Sequence, residues 1–165
     1  MAKEVIMSKE KFQELQERLE YLEKTKRSEI TEAIKEARGQ GDLSENAEYD
    51  AAKNEEAQVA AEIAQIKEQL NNATIIDTDQ ISTKSVAVGC YVQIVEVETR
   101  GGKVEEVDEP EEIKLVGTME SDAANGKISN DSPLGRALVG RKKGEVFTVV
   151  TPGGKLEYKV LSIRV

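Results

Sequence analysis

Two carboxylates, Asp42 and Glu45, are the residues whose type and spacing best suit chemistry in this chain. They lie three residues apart in a segment, residues 39–50, that reads Gly-Gln-Gly-Asp-Leu-Ser-Glu-Asn-Ala-Glu-Tyr-Asp. A pair of this kind can share a hard divalent cation such as Mg²⁺, which takes oxygen ligands in octahedral geometry and keeps several waters. Two carboxylates cannot complete that shell, so a partner molecule would have to supply further ligands.

The same two residues have a structural interpretation that needs no metal. Asp42-Leu43-Ser44-Glu45 has the spacing of a capping box, with Asp42 as the N-cap of the following helix and Glu45 at its third position. Acidic residues in a first helical turn are also favoured by the helix dipole. Both roles can coexist, because a capping carboxylate keeps free lone pairs. A cap does not explain why Glu48 and Asp50 follow so closely.

Histidine is missing from the sequence and cysteine occurs once. These counts exclude Ser-His-Asp and Cys-His nucleophilic sites, HExxH zinc sites and structural zinc sites. Any chemistry must therefore use carboxylates, lysine, tyrosine or a metal held by oxygen. The single Cys90 lies in an apolar run and is expected to be a buried packing residue.

The 165-residue chain has a net charge of −9, which does not favour autonomous nucleic-acid binding. Its apolar runs are too short for a membrane span. The first ten residues lack the apolar core of a secretory signal, and together with the single cysteine this predicts a cytoplasmic protein without membrane contact.

The first half of the chain has the pattern of two helices. Apolar residues recur at spacings of three and four, with an irregularity near Lys26, and only a short Gly39–Gly41 connection separates the two stripes. Narrow stripes of this kind indicate a coiled-coil seam, and a short connection makes the helices antiparallel neighbours. The first stripe contains Phe12, Leu15, Leu19, Leu22, Ile30, Ile34 and Ala37, and the second contains Tyr49, Ala52, Glu56, Val59, Ile63, Ile66 and Leu70.

The second half has the pattern of strands. Four segments rich in β-branched residues are separated by the turn signals Gly101-Gly102, Asn125-Gly126 and Pro152-Gly153-Gly154, the last between the final two strands. Ser132 followed by Pro133 predicts the start of a short helix that ends near Gly140. The predicted fold is α+β, with an antiparallel α-helical coiled-coil hairpin over residues 1–76 and a small, mostly antiparallel β-sheet domain with one short helix over residues 77–165.

Three cations, Lys35, Arg38 and Lys53, lie close behind the acidic segment in the predicted hairpin. They form either a basic patch that attracts nucleic-acid phosphate or ordinary surface charges with partners such as Asp50 and Glu56. The residues alone favour the second interpretation.

Several motifs resemble the Gre family of bacterial transcript cleavage factors, from end to end and in the expected order. The first is Ala37-Arg38 followed by residues 41–49 (Gly-Asp-Leu-Ser-Glu-Asn-Ala-Glu-Tyr) and Ala52-Lys53. The second combines Ile128-Ser129, residues 132–140 (Ser-Pro-Leu-Gly-Arg-Ala-Leu-Val-Gly), and Thr151-Pro152-Gly153-Gly154 with Tyr158.

The resemblance implies an FKBP-like C-terminal domain without prolyl isomerase activity. That domain would dock at the rim of the secondary channel of bacterial RNA polymerase while the coiled coil enters the channel. The protein would not be an enzyme itself. It would stimulate the polymerase to hydrolyse the 3′ end of the nascent RNA in backtracked, arrested complexes.

The resemblance also assigns roles to individual residues. Asp42 and Glu45 would help to hold the second Mg²⁺ of the polymerase site, and Ser44 would contact that site. Arg38 and Lys53 would meet the 3′ part of the RNA, which reverses the interpretation from the residues alone. The small size of this patch fits the less basic branch of the family. The resemblance also implies that polymerase docking involves Asp122, Ser132 and Pro133.

Other functions stay open from the sequence. The chain could be a Gre-fold relative that inhibits polymerase, although Asp-Leu-Ser-Glu-Asn is the cleavage-factor form of this segment. It could be a structural interaction module in which the acidic segment only caps a helix. An autonomous hydrolase has little support, because nucleophile motifs and clustered metal ligands are missing.

Overall fold

The computed structural model describes residues 3–39, 41 and 46–165, and its contacts divide the chain into two units. One unit contains Glu10–Ala73, and the other contains Val5–Lys9 together with Thr74–Val165. The break at Ala73 lies three residues before the predicted end of the first domain at residue 76. The segment Val5–Lys9 belongs to the second unit, which a linear division of the chain did not foresee.

The first unit is a helical hairpin. Helix α1 (Lys9–Tyr21) continues through a π-helical turn (Leu22–Lys26) into α2 (Arg27–Gly39), and α3 (Ala47–Asn71) packs against them. The predicted seam is buried at most positions, but Glu56 is exposed, and Leu19 and the residues at the ends are partly buried. Its buried members are Leu15, Leu22, Ile30, Ile34, Ala37, Ala52, Val59, Ile63 and Ile66.

Ion pairs between the helices show that the hairpin is antiparallel, as predicted. Arg18 bonds Glu62 at 2.9 Å, and Lys26 bonds Glu55 at 2.5 Å. Residue numbers therefore rise along the first helix while they fall along the second. These pairs are largely open to solvent, so each contributes little stability. Burial of the seam is the main source of the hairpin's stability.

The π turn explains the irregular spacing near Lys26. Leu22 and Ile30 are eight residues apart, yet both side chains are buried in the same seam. At 3.6 residues per turn, eight residues would rotate the second side chain by roughly 80° away from the first. A π turn adds one residue to the local turn, so that eight residues cover the rotation that seven cover in a regular helix.

The predicted N-cap of the second helix was wrong. The helix begins at Ala47, and its N-cap is Asn46, whose side-chain oxygen accepts a hydrogen bond from the Tyr49 backbone N–H at 3.0 Å. Asp42 therefore lies four residues before the N-cap, and Asp42 and Glu45 do not form the capping box of this helix. Asn46 takes the role because its amide also reaches the preceding helix.

The second unit contains two sheets. Strands β1 (Val5–Ser8) and β2 (Ala73–Ile76) form a two-stranded sheet that was not predicted. The larger sheet has the strand order β6-β5-β3-β8-β7, with β4 also paired to β3. Its strands are β3 (Tyr91–Arg100), β4 (Lys103–Glu106), β5 (Glu111–Val116), β6 (Lys127–Ser129), β7 (Val146–Thr151) and β8 (Gly154–Arg164).

The larger sheet is mostly antiparallel, as predicted, and only the pair β5–β6 is parallel. Thr151 pairs with Gly154, so the predicted turn at Pro152-Gly153 joins β7 and β8. Cys90, just before β3, is fully buried and free, as expected. The core of this unit contains Val86, Cys90, Val92, Ile94, Ile113, Leu115, Leu138, Phe147, Val149 and Val160.

A short helix covers part of this core. Helix α4 (Pro133–Leu138) has Ser132 as its N-cap and Pro133 at its first position, as the sequence predicted. Gly135 is buried where the helix meets the chain after β6, and a Cβ there would lie 1.9 Å from the Ser129 carbonyl oxygen. Only glycine allows this close approach, which fixes the helix beside β6.

Besides its pairing with β2, strand β1 contacts the second unit through Ser8 and Ile6. The backbone N–H and the hydroxyl of Ser8 donate to the two carboxylate oxygens of Glu120 at 2.9 and 2.5 Å. The backbone of Ile6 approaches Gly117 so closely that a Cβ at Gly117 would lie 1.8 Å from the Ile6 carbonyl oxygen. These contacts assign β1 to the sheet unit although the helical hairpin follows it in sequence.

Candidate functional site

The acidic segment joins two helix ends that the structure describes. Three of the predicted site residues, Asp42, Ser44 and Glu45, lie outside the described residues. Helix α2 ends at Gly39, and the Gly41 N–H donates to the Arg38 carbonyl oxygen at 3.4 Å. Gly41 has a φ of +105°, a backbone conformation that favours glycine. Gly41 has therefore left the helical conformation directly before Asp42.

Asn46 ties the two helix ends together. Its side-chain nitrogen donates to the Ala37 carbonyl oxygen at 2.7 Å, and its side-chain oxygen accepts from the Tyr49 N–H at 3.0 Å. One side chain thereby satisfies a carbonyl at the end of α2 and an amide at the start of α3, both of which lack partners within their own helices. The end of α2 and the start of α3, which flank the acidic segment, are therefore both bonded to Asn46.

The predicted basic residues line one groove beside this segment. Arg38 and Lys53, from different helices, both border a recess of about 310 Å³ with Lys35 and Glu56. Glu56 bonds the Lys53 ammonium at 2.8 Å. This hydrogen bond and the charge of Glu56 raise the pKa of Lys53, while the positive charge of Arg38 opposes the increase. The structure therefore places the three predicted cations around one recess. It also places Glu56 there, and this acid is paired with Lys53.

The predicted docking residues lie around a second, apolar groove in the sheet unit. Ser132 and Pro133 border this recess of about 430 Å³, and Asp122 lies between two residues that also border it. The Ser132 hydroxyl donates to the Ser129 carbonyl oxygen at 2.7 Å and accepts from the Gly135 N–H at 3.0 Å. The wall of the groove consists of Ser121, Ala123, Lys127, Ile128, Ser129, Ser132, Pro133, Leu134, Val149, Thr151, Leu156 and Tyr158.

The capping role that the residues alone suggested for Ser132 is confirmed, and Asp122 also has a local role. Its carboxylate accepts a hydrogen bond from the Asn125 side chain at 2.5 Å, and its backbone forms an isolated bridge with Lys127. Pro133 is exposed at the first position of α4. A capping residue and an exposed proline at the border of an apolar recess are compatible with both local structure and contact with a partner.

Sequence reasoning did not find the groove itself. Tyr158, Leu156 and Val149 belong to the last two strands, whereas Leu134 belongs to α4. Alternation along β7 and β8 predicts which side chains share a face, but it does not reveal which face the short helix leaves uncovered. Burial raises the pKa of Tyr158, and the negative charge of Glu96 raises it further.

The described residues contain no group of three or more His, Cys, Asp or Glu side chains that could hold a metal. Any Mg²⁺ site at the acidic segment therefore depends on Asp42 and Glu45 themselves, with ligands from elsewhere. No helix within the described ranges has the length and apolar character of a membrane span.

Comparisons with known proteins cover nearly the whole chain. The family model "Transcription elongation factor, N-terminal" matches residues 5–75, and "Transcription elongation factor, GreA/GreB, C-term" matches residues 81–165. The chain belongs to the GreA/GreB family of transcription elongation factors. The resemblance of the motifs to this family is thereby confirmed.

Relatives named as GreA share close to half of the sequence. Transcription elongation factor GreA of Thermoanaerobacter pseudethanolicus is 44% identical over 164 residues, which cover 99% of each chain. The protein of the same name from Clostridium perfringens is 45% identical over 162 residues, which cover 98% of each chain. A solved structure titled as the transcription factor Gfh1 has 27% sequence identity and a TM-score of 0.45 over 100% of both chains.

Proposed function

We propose that this GreA/GreB family member acts on bacterial RNA polymerase as a GreA-type transcript cleavage factor. The hairpin enters the secondary channel, and its acidic segment stimulates Mg²⁺-dependent cleavage of the nascent RNA 3′ end in backtracked, arrested complexes. The protein supplies residues to the polymerase's own site and is not an enzyme by itself.

The end of the hairpin carries this proposal. Asn46 ties α2 to α3 directly beside the acidic segment, and Arg38 and Lys53 border one groove at the same end. The residues that flank the acidic segment are thereby tied to each other. Two carboxylates next to two cations suit a site where a metal-bound water and an RNA phosphate must meet.

The chemistry of the donors fits Mg²⁺ only as a shared ion. Asp42 and Glu45 offer hard oxygen ligands, which Mg²⁺ prefers, but too few to complete its octahedral shell. When bound between these carboxylates and polymerase ligands, the ion would polarise a water for attack on the RNA phosphodiester. The chain's own residues orient the site: the two carboxylates fix the ion's position, Ser44 contacts the polymerase site, and Arg38 and Lys53 hold RNA phosphate by charge.

The sheet unit would supply the docking surface. Its apolar groove offers Ser132 and Pro133 at the border and Asp122 beside it. Grooves lined mainly by apolar side chains with a few polar groups are typical of binding sites. We propose that this groove binds the rim of the polymerase secondary channel, so that the hairpin is directed into the channel.

The experiment is RNA cleavage in a purified, backtracked bacterial polymerase complex with Mg²⁺. Wild-type protein is expected to shorten the RNA from its 3′ end, and Asp42→Asn and Glu45→Gln are expected to reduce cleavage to the polymerase's intrinsic rate. Asp50→Asn is the matched control, because it removes an exposed acid in the first turn of α3 without touching the proposed pair. All variants should bind the polymerase equally well.

Other results would favour the alternative functions. Wild-type protein that binds polymerase and slows elongation without cleavage would indicate a Gre-fold inhibitor. Wild-type protein without either effect would indicate a structural module. The capping interpretation of Asp42 has lost its support, because Asn46 caps α3. An Asp42→Asn variant is therefore expected to keep wild-type helicity.

A further inference from the structure

The larger sheet has three strands with an open side. Within the described residues, β6 and β7 are the two ends of the strand order, and β4 pairs with β3 alone. An open strand edge presents a row of backbone N–H and C=O groups to which another chain can bond. Proteins usually protect such edges with charges, proline, short strands or a covering segment. The three edges can therefore be compared by how each is protected.

The edges of β4 and β6 are both protected. Strand β4 has four residues, and Lys103, Glu105 and Glu106 place three charges on it. Strand β6 has three residues, and its first residue, Lys127, exchanges two backbone hydrogen bonds of 2.8 and 2.9 Å with Asp122. Neither strand therefore offers a long uncharged edge to another chain.

Strand β7 has none of these protections. Its six residues, Val146–Thr151, read Val-Phe-Thr-Val-Val-Thr, with no charge and no proline. All six are β-branched or aromatic, which are the types that favour strands. Val150 is 65% exposed, more than any other large apolar side chain in the part of the chain that the structure describes. An edge of this length and composition pairs readily with another extended chain.

Alternation along β7 determines which of its backbone groups are open. Directly before the strand, the Val160 N–H donates to the Glu145 carbonyl oxygen at 3.0 Å. Because every second residue of an antiparallel pair bonds the neighbouring strand, the odd-numbered residues of β7 bond β8. The N–H and C=O groups of Val146, Thr148 and Val150 face the open side, and no turn or loop among the described residues bonds them.

Four lysines surround this open side. Lys142 and Lys143 are exposed in the turn before β7. On β8, Lys159 and Lys155 pair with the first and fifth residues of β7, so they lie on the same face as its even-numbered side chains. Within the described residues, these four ammonium groups have no ion pair or hydrogen bond. They are therefore available to carboxylates of another chain.

The acids near this edge are already bonded. Glu157, between the two lysines of β8, accepts a hydrogen bond from the Thr99 N–H at 3.2 Å, and Glu145 lies 3.9 Å from Arg141. A chain with carboxylates at alternate positions would match the lysines. A second copy of β7 would not match them, because antiparallel pairing of two β7 edges would bring the lysines of both copies together.

We propose that the open side of β7 binds an extended acidic peptide segment of a partner protein as an added strand. The peptide backbone bonds Thr148 and Val150, and carboxylates on one face of the peptide contact Lys155 and Lys159. The lysines before β7 bind carboxylates near one end of the peptide. This inference does not rest on the proposed function, since it uses neither the hairpin nor the face of β7 that borders the apolar groove.

The experiment is amide hydrogen exchange of the ¹⁵N-labelled full chain, followed by NMR, with an eight-residue peptide of alternating glutamate and threonine. In the free protein, the Thr148 and Val150 amides should exchange quickly, and the Val149 amide, bonded to β8, should exchange slowly. Peptide at roughly nine-tenths saturation should slow exchange at Thr148 and Val150 about tenfold, because only the free protein then exchanges. Slow exchange of these amides in concentrated protein without peptide would overturn the proposal, since a second copy would then occupy the edge.

A peptide of the same sequence with methylated backbone amides is the matched control. It keeps every carboxylate but cannot donate backbone hydrogen bonds. Equal affinities of the two peptides would overturn the added strand, because charge alone would then account for binding. Failure of the unmethylated peptide to bind at low salt, where the lysines attract it most strongly, would overturn the proposal as well.

Substitutions separate the lysines from the backbone edge. Lys143→Gln should weaken peptide binding about two- to fivefold, the scale of an exposed ion pair, whereas Lys103→Gln, the same change on β4, should have no effect. Val150→Pro removes an outward N–H and should weaken binding about tenfold, and Val150→Thr, which keeps it, should bind like wild type. Equal weakening by the two lysine variants would contradict a site at β7, and this comparison holds even if Val150→Pro does not fold.

Discussion

Asn46 offers a direct test of how the end of the hairpin is held. In Asn46→Ala, α3 loses its side-chain cap, which costs about 1 kcal/mol. The variant also leaves the Ala37 carbonyl oxygen without the 2.7 Å hydrogen bond from the Asn46 amide, a further loss of about 1 kcal/mol. We therefore expect the helical hairpin to be destabilised by about 2 kcal/mol.

Asn46→Asp separates the two contributions. An aspartate keeps an oxygen that can accept from the Tyr49 N–H, and its charge interacts favourably with the start of α3. It cannot donate to the Ala37 carbonyl oxygen. Its destabilisation should therefore be about 1 kcal/mol or less, clearly smaller than that of Asn46→Ala.

The assay is urea unfolding followed by far-UV circular dichroism, which reports mainly the helices. With a denaturant slope of about 1–3 kcal/mol per molar urea, a loss of 2 kcal/mol lowers the midpoint by roughly 1 M. An unchanged midpoint for Asn46→Ala would refute the role of Asn46 in tying the helix ends. Equal losses for the alanine and aspartate variants would show instead that the cap contributes nothing and the contact with Ala37 everything.

Two further predictions concern the sheet unit. Gly135→Ala should lower the free energy of unfolding, measured by urea unfolding, by about 1–3 kcal/mol, because the new Cβ would lie 1.9 Å from the Ser129 carbonyl oxygen. Gly153→Ala is the control and should be close to neutral, because its Cβ would have no contact closer than 3.8 Å. Burial, and after it the charge of Glu96, raises the pKa of Tyr158 above its ordinary value of about 10. The unfolded chain therefore releases the phenolic proton first, so stability should be constant below about pH 10 and decline as pH rises from there toward the folded-state pKa. The decline should be smaller in Tyr158→Phe, and an equal decline would show that other groups control alkaline unfolding.

Local signals explain what the sequence could predict. Ser132 and Pro133 specify the start of α4 through contacts within four residues, so the prediction did not depend on the rest of the fold. The hairpin was predictable for a similar reason, because its seam repeats over many turns and its connection is short. The α+β class followed from the change of pattern between the two halves of the chain.

The start of α3 could not be predicted because two good caps competed. Asp42 and Asn46 are both favoured N-cap residues, and the capping-box spacing favours the first. The choice is made by the Ala37 carbonyl oxygen, which only an amide nitrogen at position 46 reaches. This contact joins different helices, and spacing within one segment does not contain it.

The short strands and the grooves were missed for a related reason. Strands β1 and β2 have four residues each and pair across more than sixty residues of sequence. The pairing of Arg38 with Lys53 at one end of the hairpin was predicted, since antiparallel helices bring residues near the turn together. Glu56 was counted within the seam, and only its exposed side chain reveals that it opens the seam.

The π turn at Leu22–Lys26 determines the direction in which the side chains of the following helix, α2, point. Each residue of an α-helix advances the side-chain direction by about 100°. If the same residues formed a regular α-helix without the π turn, Lys35 and Arg38 would rotate together by about 100° away from their present direction. Deletion of one residue from the turn, by contrast, would let the helix run regularly and would keep that direction. The extra residue of the π turn therefore sets the direction of the cations on α2, although the turn lies some 15 Å or more along the helix axis from Arg38. Insertion of a further residue at this distant turn would therefore change which cations face the groove without any substitution within the groove.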